Sequence, residues 1–387
     1  MEKIFVKPLK RFGYLWIYRN EILSPIEHIK PGSIVRVYDS AKEKFIGVGY
    51  INPKSIISVR LLSFQDEEIN EEFLRQRIKK SLDYREKILK LKGSFRAIYS
   101  ESDFLPGLIV DKYNKCLVVQ ISTAGMEKLK DSILKILDEI FSPDIIVIKN
   151  IGQALEKEGL RNETHVIKGE IKELPIIEED DVKFFIDPVQ GQKTGFFLDQ
   201  RENRLFFKKL IQSGEGLDLF CYVGAWSMHL AKNGASVIGI DSSERAISIC
   251  KKNASLNNLS DKCKFIKADV FDYLKWEIKK GKKYDFIVVD PPAFVKSKGE
   301  KKDAVEGYLS LNTLCLKLLK KNSFLATSSC SQHISEVDFY QIISEAFKQT
   351  KKKARLIYKG MQSKDHPVLL SMEETAYLKC FILQIID

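Results

Sequence analysis

Four aspartates end, or lie within, four apolar runs in the second half of this 387-residue chain, and carboxylates at such positions can bind a nucleoside. The four are Asp218, Asp241, Asp269 and Asp290. The runs are typical of buried parallel strands, whose carboxyl ends meet at the ligand-binding edge of a sheet. An acid 23 residues after Asp218, as Asp241 is, typically holds two ribose hydroxyls, and Asp269 is placed to meet an adenine amino group. For any one acid alone, the alternative is a helix N-cap.

The first strand is followed by a turn that contains a single glycine. This turn reads Tyr222-Val223-Gly224-Ala225 and lacks the GxGxxG pattern that lets a backbone approach a pyrophosphate. S-adenosylmethionine contains ribose and adenine but no phosphate, so the sequence favours it over a dinucleotide. Tyr222, Gly224 and Ser242, which follows Asp241, are therefore predicted to bind this cofactor.

Two prolines follow the fourth aspartate in the stretch "KYDFIVVDPPAFVKSK". Pro291 and Pro292 can neither extend the strand nor donate backbone hydrogen bonds, so they fix a turn. In that turn Asp290 and a proline carbonyl can accept hydrogen bonds from the amino group of a base. Phe294 can stack on a base extruded from its strand, and Lys296 is assigned to the same substrate site. The alternative is a rigid strand-to-loop turn with a core phenylalanine.

A cysteine ends another strand, in the stretch "NSFLATSSCSQHIS". Carbon 5 of a pyrimidine is a weak nucleophile, but a thiolate that adds to carbon 6 makes carbon 5 enamine-like. A polar turn near a cationic cofactor favours ionisation of the thiol. Cys330 is therefore predicted to be a nucleophile within reach of the Asp290 loop. The alternative is the buried small hydrophobe that an unpaired cysteine usually is.

The elements that position these residues belong to the last of three predicted domains. From about residue 180, strands recur every 20–30 residues with helical segments between them, as in a doubly wound α/β domain. Upstream, short alternating runs separated by turn signals predict a small β domain, and a mixture of helices and strands follows it. The predicted domains are 1–67, 68–178 and 179–387.

The composition excludes several classes of protein. Hydrophobic residues make up 44% of the chain and charged residues 30%, and no apolar run approaches a membrane span. Seven scattered cysteines with no CxxC pair and no Cys/His cluster argue against a disulfide framework and a structural zinc site. We expect a cytoplasmic protein that uses neither a membrane nor a metal.

The charge distribution indicates a polyanionic partner. The formal net charge is +11, and residues 1–65 hold 11 Lys and Arg against 5 Asp and Glu, an excess of six. A basic excess concentrated in one segment suits a nucleic acid. Lysine-rich, merely solvated faces are the alternative.

These motifs together resemble the PUA-domain-containing, S-adenosylmethionine-dependent methyltransferases that make 5-methylcytosine in large-subunit ribosomal RNA, the large subunit methyltransferase I type. The resemblance spans nearly the whole chain. Its most distinctive segment is "GQKTGFFLDQRENR", and "DPPAFVKSK" and "SSCSQH" match later motifs.

The resemblance implies a Rossmann-like class I methyltransferase domain preceded by a β-rich PUA-like RNA-binding domain and a central α+β domain. It implies that Gln192, Lys193, Thr194 and Phe197 line the cofactor site and that the substrate is large-subunit ribosomal RNA. A homodimer is a further expectation from the resemblance.

One departure from related enzymes concerns the base that removes the carbon 5 proton. Position 293 is alanine, whereas two-cysteine RNA cytosine methyltransferases carry a cysteine in the corresponding loop. The stretch "HPVLLSMEETAYLK" supplies Glu373 and Glu374 as candidates, of which Glu374 is preferred, and a plain solvated carboxylate at the entry to a strand is the alternative. Methylation of adenine N6 or uracil C5, and a non-catalytic RNA-binding role in ribosome assembly, remain alternative functions.

Overall fold

The computed structural model describes residues 1–152, 154–294 and 301–387, which form two compact units. The first unit takes its described residues from Met1–Pro175, Asp187–Gly195 and Lys364–Thr375. The second takes them from Ile176–Ile186, Phe196–Ser363 and Ala376–Asp387. No described helix combines the length and the apolar composition that a membrane span requires.

The first unit opens with a five-stranded sheet built from short strands with alternating burial. The strands are β1 (Glu2–Val6), β2 (Trp16–Tyr18), β3 (Ser33–Asp39), β4 (Phe45–Ile51) and β5 (Ile57–Ser63). They lie in the order β1-β3-β4-β5-β2, with β1 parallel to β3 and the other pairs antiparallel. In β3, Val35 and Val37 are buried while their neighbours are partly exposed, as expected where one face of a sheet covers a core.

A second sheet and four helices follow in the same unit. They are α1 (Glu71–Asp83), β6 (Ser94–Tyr99), β7 (Leu108–Tyr113), β8 (Cys116–Ile121), α2 (Ala124–Lys128), α3 (Lys130–Phe141), β9 (Ile145–Asn150), α4 (Ala154–Glu158) and β10 (Glu163–Lys168). The sheet order is β10-β9-β8-β7-β6. Helix α1 begins at Asn70, whose side chain accepts a hydrogen bond from the Phe73 amide at 3.0 Å.

The two sheets of the first unit share a hydrophobic core. Tyr50 and Leu62, from the first sheet, belong to the same buried cluster as Leu108 of the second. The Tyr50 hydroxyl also donates to the Pro106 carbonyl at 2.7 Å. The predicted divisions near residues 67 and 178 remain predictions; the structure adds that segments 187–195 and 364–375 pack with the first unit.

The second unit contains a seven-stranded sheet and a two-stranded hairpin. The hairpin strands are β11 (Ile176–Glu179) and β12 (Val182–Phe185). The remaining elements are α5 (Arg201–Leu210), β13 (Glu215–Leu219), α6 (Ala225–Lys232), β14 (Ser236–Asp241), α7 (Glu244–Leu256), β15 (Cys263–Lys267), α8 (Val270–Lys279), β16 (Tyr284–Val289), α9 (Lys301–Leu318), β17 (Leu319–Ser329), α10 (Glu336–Thr350), β18 (Ala354–Gly360) and β19 (Lys379–Ile385).

The seven strands lie in the order β15-β14-β13-β16-β17-β19-β18. Strands β13 to β17 run parallel to one another, and β19 is antiparallel to its neighbours β17 and β18. The predicted doubly wound α/β architecture is therefore confirmed. From β13 the chain proceeds to β14 and β15 on one side and later to β16 and β17 on the other. This reversal opens a crevice at the carboxyl ends of β13 and β16, where ligands bind in such folds.

The loop that joins β13 to α6 has an unusual backbone. Phe220, Tyr222 and Gly224 have φ angles of 62°, 49° and 77°. Residues with side chains adopt this left-handed region only where the surrounding structure holds them there, and such residues cluster at functional sites. At Gly224 an added Cβ would lie 3.3 Å from the Cys250 Sγ, so glycine suits both the conformation and the space.

Candidate active site

The innermost of the four predicted aspartates is fully buried in β13. Asp218 Oδ2 accepts hydrogen bonds from the Ser227 amide at 3.0 Å and from the Ser227 hydroxyl at 2.6 Å. Burial, with a smaller contribution from the charges of Asp290 and Asp241, raises the pKa of Asp218 to about 7. Its Oδ1 has no hydrogen-bond partner in the part of the chain that the structure describes. Asp218 therefore offers a buried acceptor near the crevice.

The backbone of two loops fixes the second aspartate at the end of β14. The Tyr222 amide donates to Asp241 Oδ2 at 3.0 Å, and the Ser243 amide donates to Oδ1 at 2.9 Å. Each carboxylate oxygen can accept a further hydrogen bond. The carboxylate is thus held in one orientation and can still bind hydroxyl groups. Ser242, beside it, is exposed.

The third aspartate is an exposed helix N-cap. Asp269 follows β15, and its Oδ1 accepts a hydrogen bond from the Asp272 amide at 3.0 Å at the start of α8. Capping accounts for an acid at this position. The contact of Asp269 with a cofactor remains a prediction.

The fourth aspartate is held by two side chains that sequence reasoning missed. Asp290 Oδ1 accepts from the Gln200 Nε2 at 2.8 Å, and Oδ2 accepts from the Trp226 Nε1 at 3.1 Å. Gln200 Nε2 also donates to the Ser328 hydroxyl at 3.1 Å, so this amide links the ends of β16 and β17. Two features of the sequence pointed to these residues. Gln200 lies in the distinctive segment "GQKTGFFLDQRENR", and Trp226 directly follows the single-glycine turn.

The structure brings Cys330 next to the Asp-Pro-Pro turn. Its Sγ lies 4.0 Å from the Pro291 carbonyl oxygen. Cys330 is half-buried, whereas the other six cysteines are buried. The alternative interpretation, a fully buried small hydrophobe, therefore fits the other six cysteines better than it fits this one.

The other predicted residues of the substrate-binding loop differ in their exposure to solvent. Pro291 is buried and Pro292 is exposed. The Phe294 ring lies 4.7 Å from the Tyr308 ring at an interplanar angle of 56°, and Phe294 packs at the edge of the core. That contact matches the alternative of a core phenylalanine, so stacking of Phe294 on a base stays a prediction. Lys296 lies outside the described residues.

The cofactor positions implied by the resemblance belong to different units. Gln192 and Lys193 are exposed and Thr194 is buried, all three in the first unit. The Thr194 hydroxyl donates to Asp111 Oδ2 at 2.5 Å and lies 2.8 Å from the Tyr113 hydroxyl.

Phe197 lies in the second unit, where its ring makes an edge contact with the Tyr222 ring, 5.3 Å between centroids. The contact extends the aromatic surroundings of the β13–α6 loop. The cofactor-binding roles of Gln192, Lys193, Thr194 and Phe197 remain predictions.

The candidate base lies in the first unit. Glu374 is in a short 3₁₀ helix, Glu373–Thr375, and its Oε1 accepts a hydrogen bond from the Tyr14 hydroxyl at 2.6 Å. Burial and this carboxylate both raise the pKa of Tyr14. Glu373 is exposed. The role of Glu374 as a base remains a prediction.

Two family comparisons cover most of the chain. Residues 3–64 match a PUA-like domain, and residues 213–375 match a methyltransferase domain. Together with the sheet topology, these matches confirm the predicted fold class: a PUA-like domain at the N-terminus and a methyltransferase domain of α/β architecture.

Several proteins are similar over nearly their full length. The chain is 39% identical to MJ1653 of Methanocaldococcus jannaschii over 96% of this chain and 95% of that protein. It is 34% identical to the ribosomal RNA large subunit methyltransferase I of Pseudoalteromonas atlantica, over 96% of this chain and 95% of that one. The crystal structure of SMU.776 complexed with SAH has the same fold, with a TM-score of 0.85, 22% identity, and coverage of 99% and 100% of the two chains.

Proposed function

We propose that this chain, which belongs to the ribosomal RNA large subunit methyltransferase family, forms 5-methylcytosine in that RNA through a covalent bond between Cys330 and carbon 6 of the target cytosine. The observation that carries the proposal is the position of Cys330. It is half-buried at the carboxyl edge of the sheet, with its sulfur 4.0 Å from the Pro291 carbonyl oxygen of the Asp-Pro-Pro turn.

The residues at the crevice fit S-adenosylmethionine as the cofactor. Asp241 is oriented by two backbone amides and can accept ribose hydroxyls, while Asp218 has a buried oxygen with no partner among the described residues. The single-glycine turn at Gly224 suits a cofactor without a pyrophosphate. When bound, S-adenosylmethionine supplies an electrophilic methyl group.

Cys330 would make carbon 5 of the cytosine reactive. The thiol first gives up its proton to solvent, and the electron pair of the thiolate then forms a bond to carbon 6, which moves electron density onto carbon 5. Once carbon 5 carries its methyl group, a base removes the remaining proton there. The electrons of that C–H bond restore the C5–C6 double bond and expel the sulfur.

Asp290 would select the base by its amino group. Its Oδ1 accepts a hydrogen bond from Gln200 and its Oδ2 accepts one from Trp226, and a carboxylate oxygen has more than one acceptor lone pair. The carboxylate is therefore fixed before a substrate arrives, and the cytosine amine is a donor that it can bind. Uracil presents a carbonyl at the same position, so a carboxylate there disfavours uracil.

The N-terminal segment would hold the RNA through its phosphates. Residues 1–65 carry an excess of six positive charges, and the segment matches a PUA-like domain. Lys7 and Lys10 are exposed there, next to a Phe12 side chain that is 99% exposed. Lysine contacts to phosphates contribute affinity without reading the sequence of the RNA.

The test is methylation of unmodified large-subunit RNA with methyl-labelled S-adenosylmethionine, followed by digestion and nucleoside mass spectrometry. We expect labelled 5-methylcytidine from the wild type, none from Cys330→Ala, and product from Cys116→Ala, which removes a buried thiol of the first unit. Labelled N6-methyladenosine, 5-methyluridine, or label that survives in Cys330→Ala would overturn the proposal. RNA binding without any label would favour the assembly-factor alternative.

RNA that contains 5-fluorocytidine gives a second readout. Fluorine on carbon 5 cannot leave as a cation, so the adduct between sulfur and carbon 6 persists. We expect a protein–RNA species that survives denaturing electrophoresis with the wild type and is absent with Cys330→Ala. RNA that contains 5-fluorouridine is the matched control, and a preference for it would favour the uracil alternative.

A further inference from the structure

We propose that Lys379 is a positioning residue whose buried ammonium group stabilises the thiolate of Cys330 and holds the turn that carries it. The inference deepens the proposed function and rests on it for the role of Cys330. Both residues belong to the second unit.

The sheet register places Lys379, the first residue of β19, opposite the end of β17, the strand that leads to Cys330. Strand β19 runs antiparallel to β17, and Lys379 lies directly opposite Ser329, the residue before Cys330. The Lys379 Nζ donates to the Ser331 carbonyl at 2.6 Å, on the other side of Cys330. The lysine therefore contacts the chain immediately around the cysteine.

The ammonium group is removed from water. Lys379 is 9% exposed, and its second hydrogen bond goes to the Tyr377 carbonyl at 2.9 Å. An ammonium has three N–H donors, and no partner for the third lies within the described part of the chain. A thiolate at Cys330 is an anion to which this third N–H can donate a hydrogen bond.

The charges around Lys379 support this arrangement. Burial lowers the pKa of Lys379 to about 8, while Cys330 and Asp338 of α10 act in the opposite direction and favour the charged lysine. Attraction between two groups is mutual, so an ammonium favoured by the thiolate also favours the thiolate. Buried lysines with lowered pKa values are common at functional sites, where the positive charge takes part in the chemistry.

A merely structural role for Lys379 makes a different prediction. If the lysine only ties β19 to the turn through its hydrogen bond to the Ser331 carbonyl, a neutral side chain that donates the same hydrogen bond would replace it. If the positive charge matters, every neutral replacement lowers the reactivity of Cys330 and arginine retains most of it. The charge and the hydrogen bonds can therefore be separated.

The experiment measures alkylation of Cys330 by iodoacetamide as a function of pH, with the modified peptide quantified by mass spectrometry. Because the other six cysteines are buried, Cys330 should react first. We expect Lys379→Met to slow the reaction at pH 7 by about tenfold, which corresponds to one pKa unit, and to move the midpoint of the pH–rate profile upward. Lys379→Arg should stay close to the wild type.

Lys149→Met is the matched control. Lys149 is also a buried lysine whose pKa burial lowers to about 8, and its Nζ donates to the Gly191 carbonyl at 2.5 Å in the first unit. It should leave alkylation of Cys330 unchanged. If Lys379→Met does not fold, Lys379→Gln, whose amide still donates to a carbonyl, gives the same comparison.

A wild-type rate and midpoint in a folded neutral variant would overturn the inference. The measurement uses neither RNA nor methyl transfer. Slowed alkylation together with the absence of 5-methylcytidine would therefore leave the inference about Lys379 standing while the proposed function failed.

Discussion

Gln200 and Asp290, 90 positions apart in the chain, are joined by a hydrogen bond of 2.8 Å from the amide Nε2 to the carboxylate Oδ1. The amide oxygen of Gln200 accepts in turn from the Asn203 Nδ2 at 2.6 Å, so the orientation of the amide is fixed. Because the Gln200 amide is oriented from its other end, it presents a donor rather than an oxygen to Asp290. This pair joins the start of α5 to the loop that would bind the base.

Replacing the amide donor of Gln200 by a carboxylate, which only accepts hydrogen bonds, should impair turnover. In Gln200→Glu a second carboxylate would face Asp290, and repulsion would displace the Asp290 side chain. We expect kcat for RNA methylation to fall on the order of 10², as for a small displacement of a positioned group. Gln349→Glu on the exposed surface of α10 is the matched control. Unchanged kcat in a folded Gln200→Glu variant would show that Asp290 does not need this donor.

Two glycines with the same backbone conformation separate strain from cofactor binding. Gly224 has φ +77°, and an added Cβ would lie 3.3 Å from Cys250, whereas Gly281 has φ +71° with nothing within 4 Å of an added Cβ. Each alanine variant should lose about 1 kcal/mol of folding stability from the left-handed backbone. Only Gly224→Ala should weaken binding of S-adenosylmethionine, measured by calorimetry. Equal affinity in both variants would remove the β13–α6 loop from the cofactor site.

The buried carboxyl of Asp218 should make folding stability depend on pH. Its pKa rises from 3.8 to about 7 on burial, so the folded state binds more protons than the unfolded state between these values. The contribution to stability is complete below pH 3.8 and is lost as the pH rises to about 7. Asp218→Asn should remove this dependence, so its free energy of unfolding relative to the wild type rises by up to ~4 kcal/mol from pH 4 to pH 8.

Urea denaturation at several pH values tests this, with Asp285→Asn as the control of opposite sign. Burial alone would raise the pKa of Asp285. The hydrogen bonds that its carboxylate accepts from Lys320 and from the Glu215 amide outweigh this effect, so the pKa is lowered. The Asp285 variant should therefore lose stability relative to the wild type as pH rises from the acid range. Parallel pH profiles for the wild type and Asp218→Asn would contradict the raised pKa.

The N-terminal lysines should contribute to RNA affinity through counterion release. Lys7→Gln and Lys10→Gln should each reduce the slope of log K against log salt concentration by about 0.7 to 0.9 and weaken all RNA sequences similarly. Lys172→Gln, which changes the same charge at an exposed position in the first unit, should have little effect. If neither N-terminal substitution changed the slope of log K against log salt concentration, Lys7 and Lys10 would not contact phosphates.

Some of the candidate site was predictable because parallel strands impose a rule that can be applied to the sequence alone. Buried apolar runs end together at one edge of a sheet, so Asp218, Asp241 and Asp290 were expected near each other. The same rule brought Cys330 to the Asp-Pro-Pro turn, as its 4.0 Å contact with Pro291 shows. Local patterns were less informative for Asp269 and Phe294, because a helix cap and a core ring look like binding residues in sequence.

The amino-acid sequence by itself determined the order of the helices and strands, the ends of the strands and the residue types at those ends. This is because apolar periodicity and turn residues specify local structure over a few positions. Only the tertiary structure decided which distant side chains orient them. Gln200 meets Asp290, Lys379 meets the Cys330 turn, and Thr194 and Glu374 are bound within the first unit by partners 83 and 360 positions away. Those hydrogen bonds depend on the folded path of the backbone, which no local pattern of residues encodes.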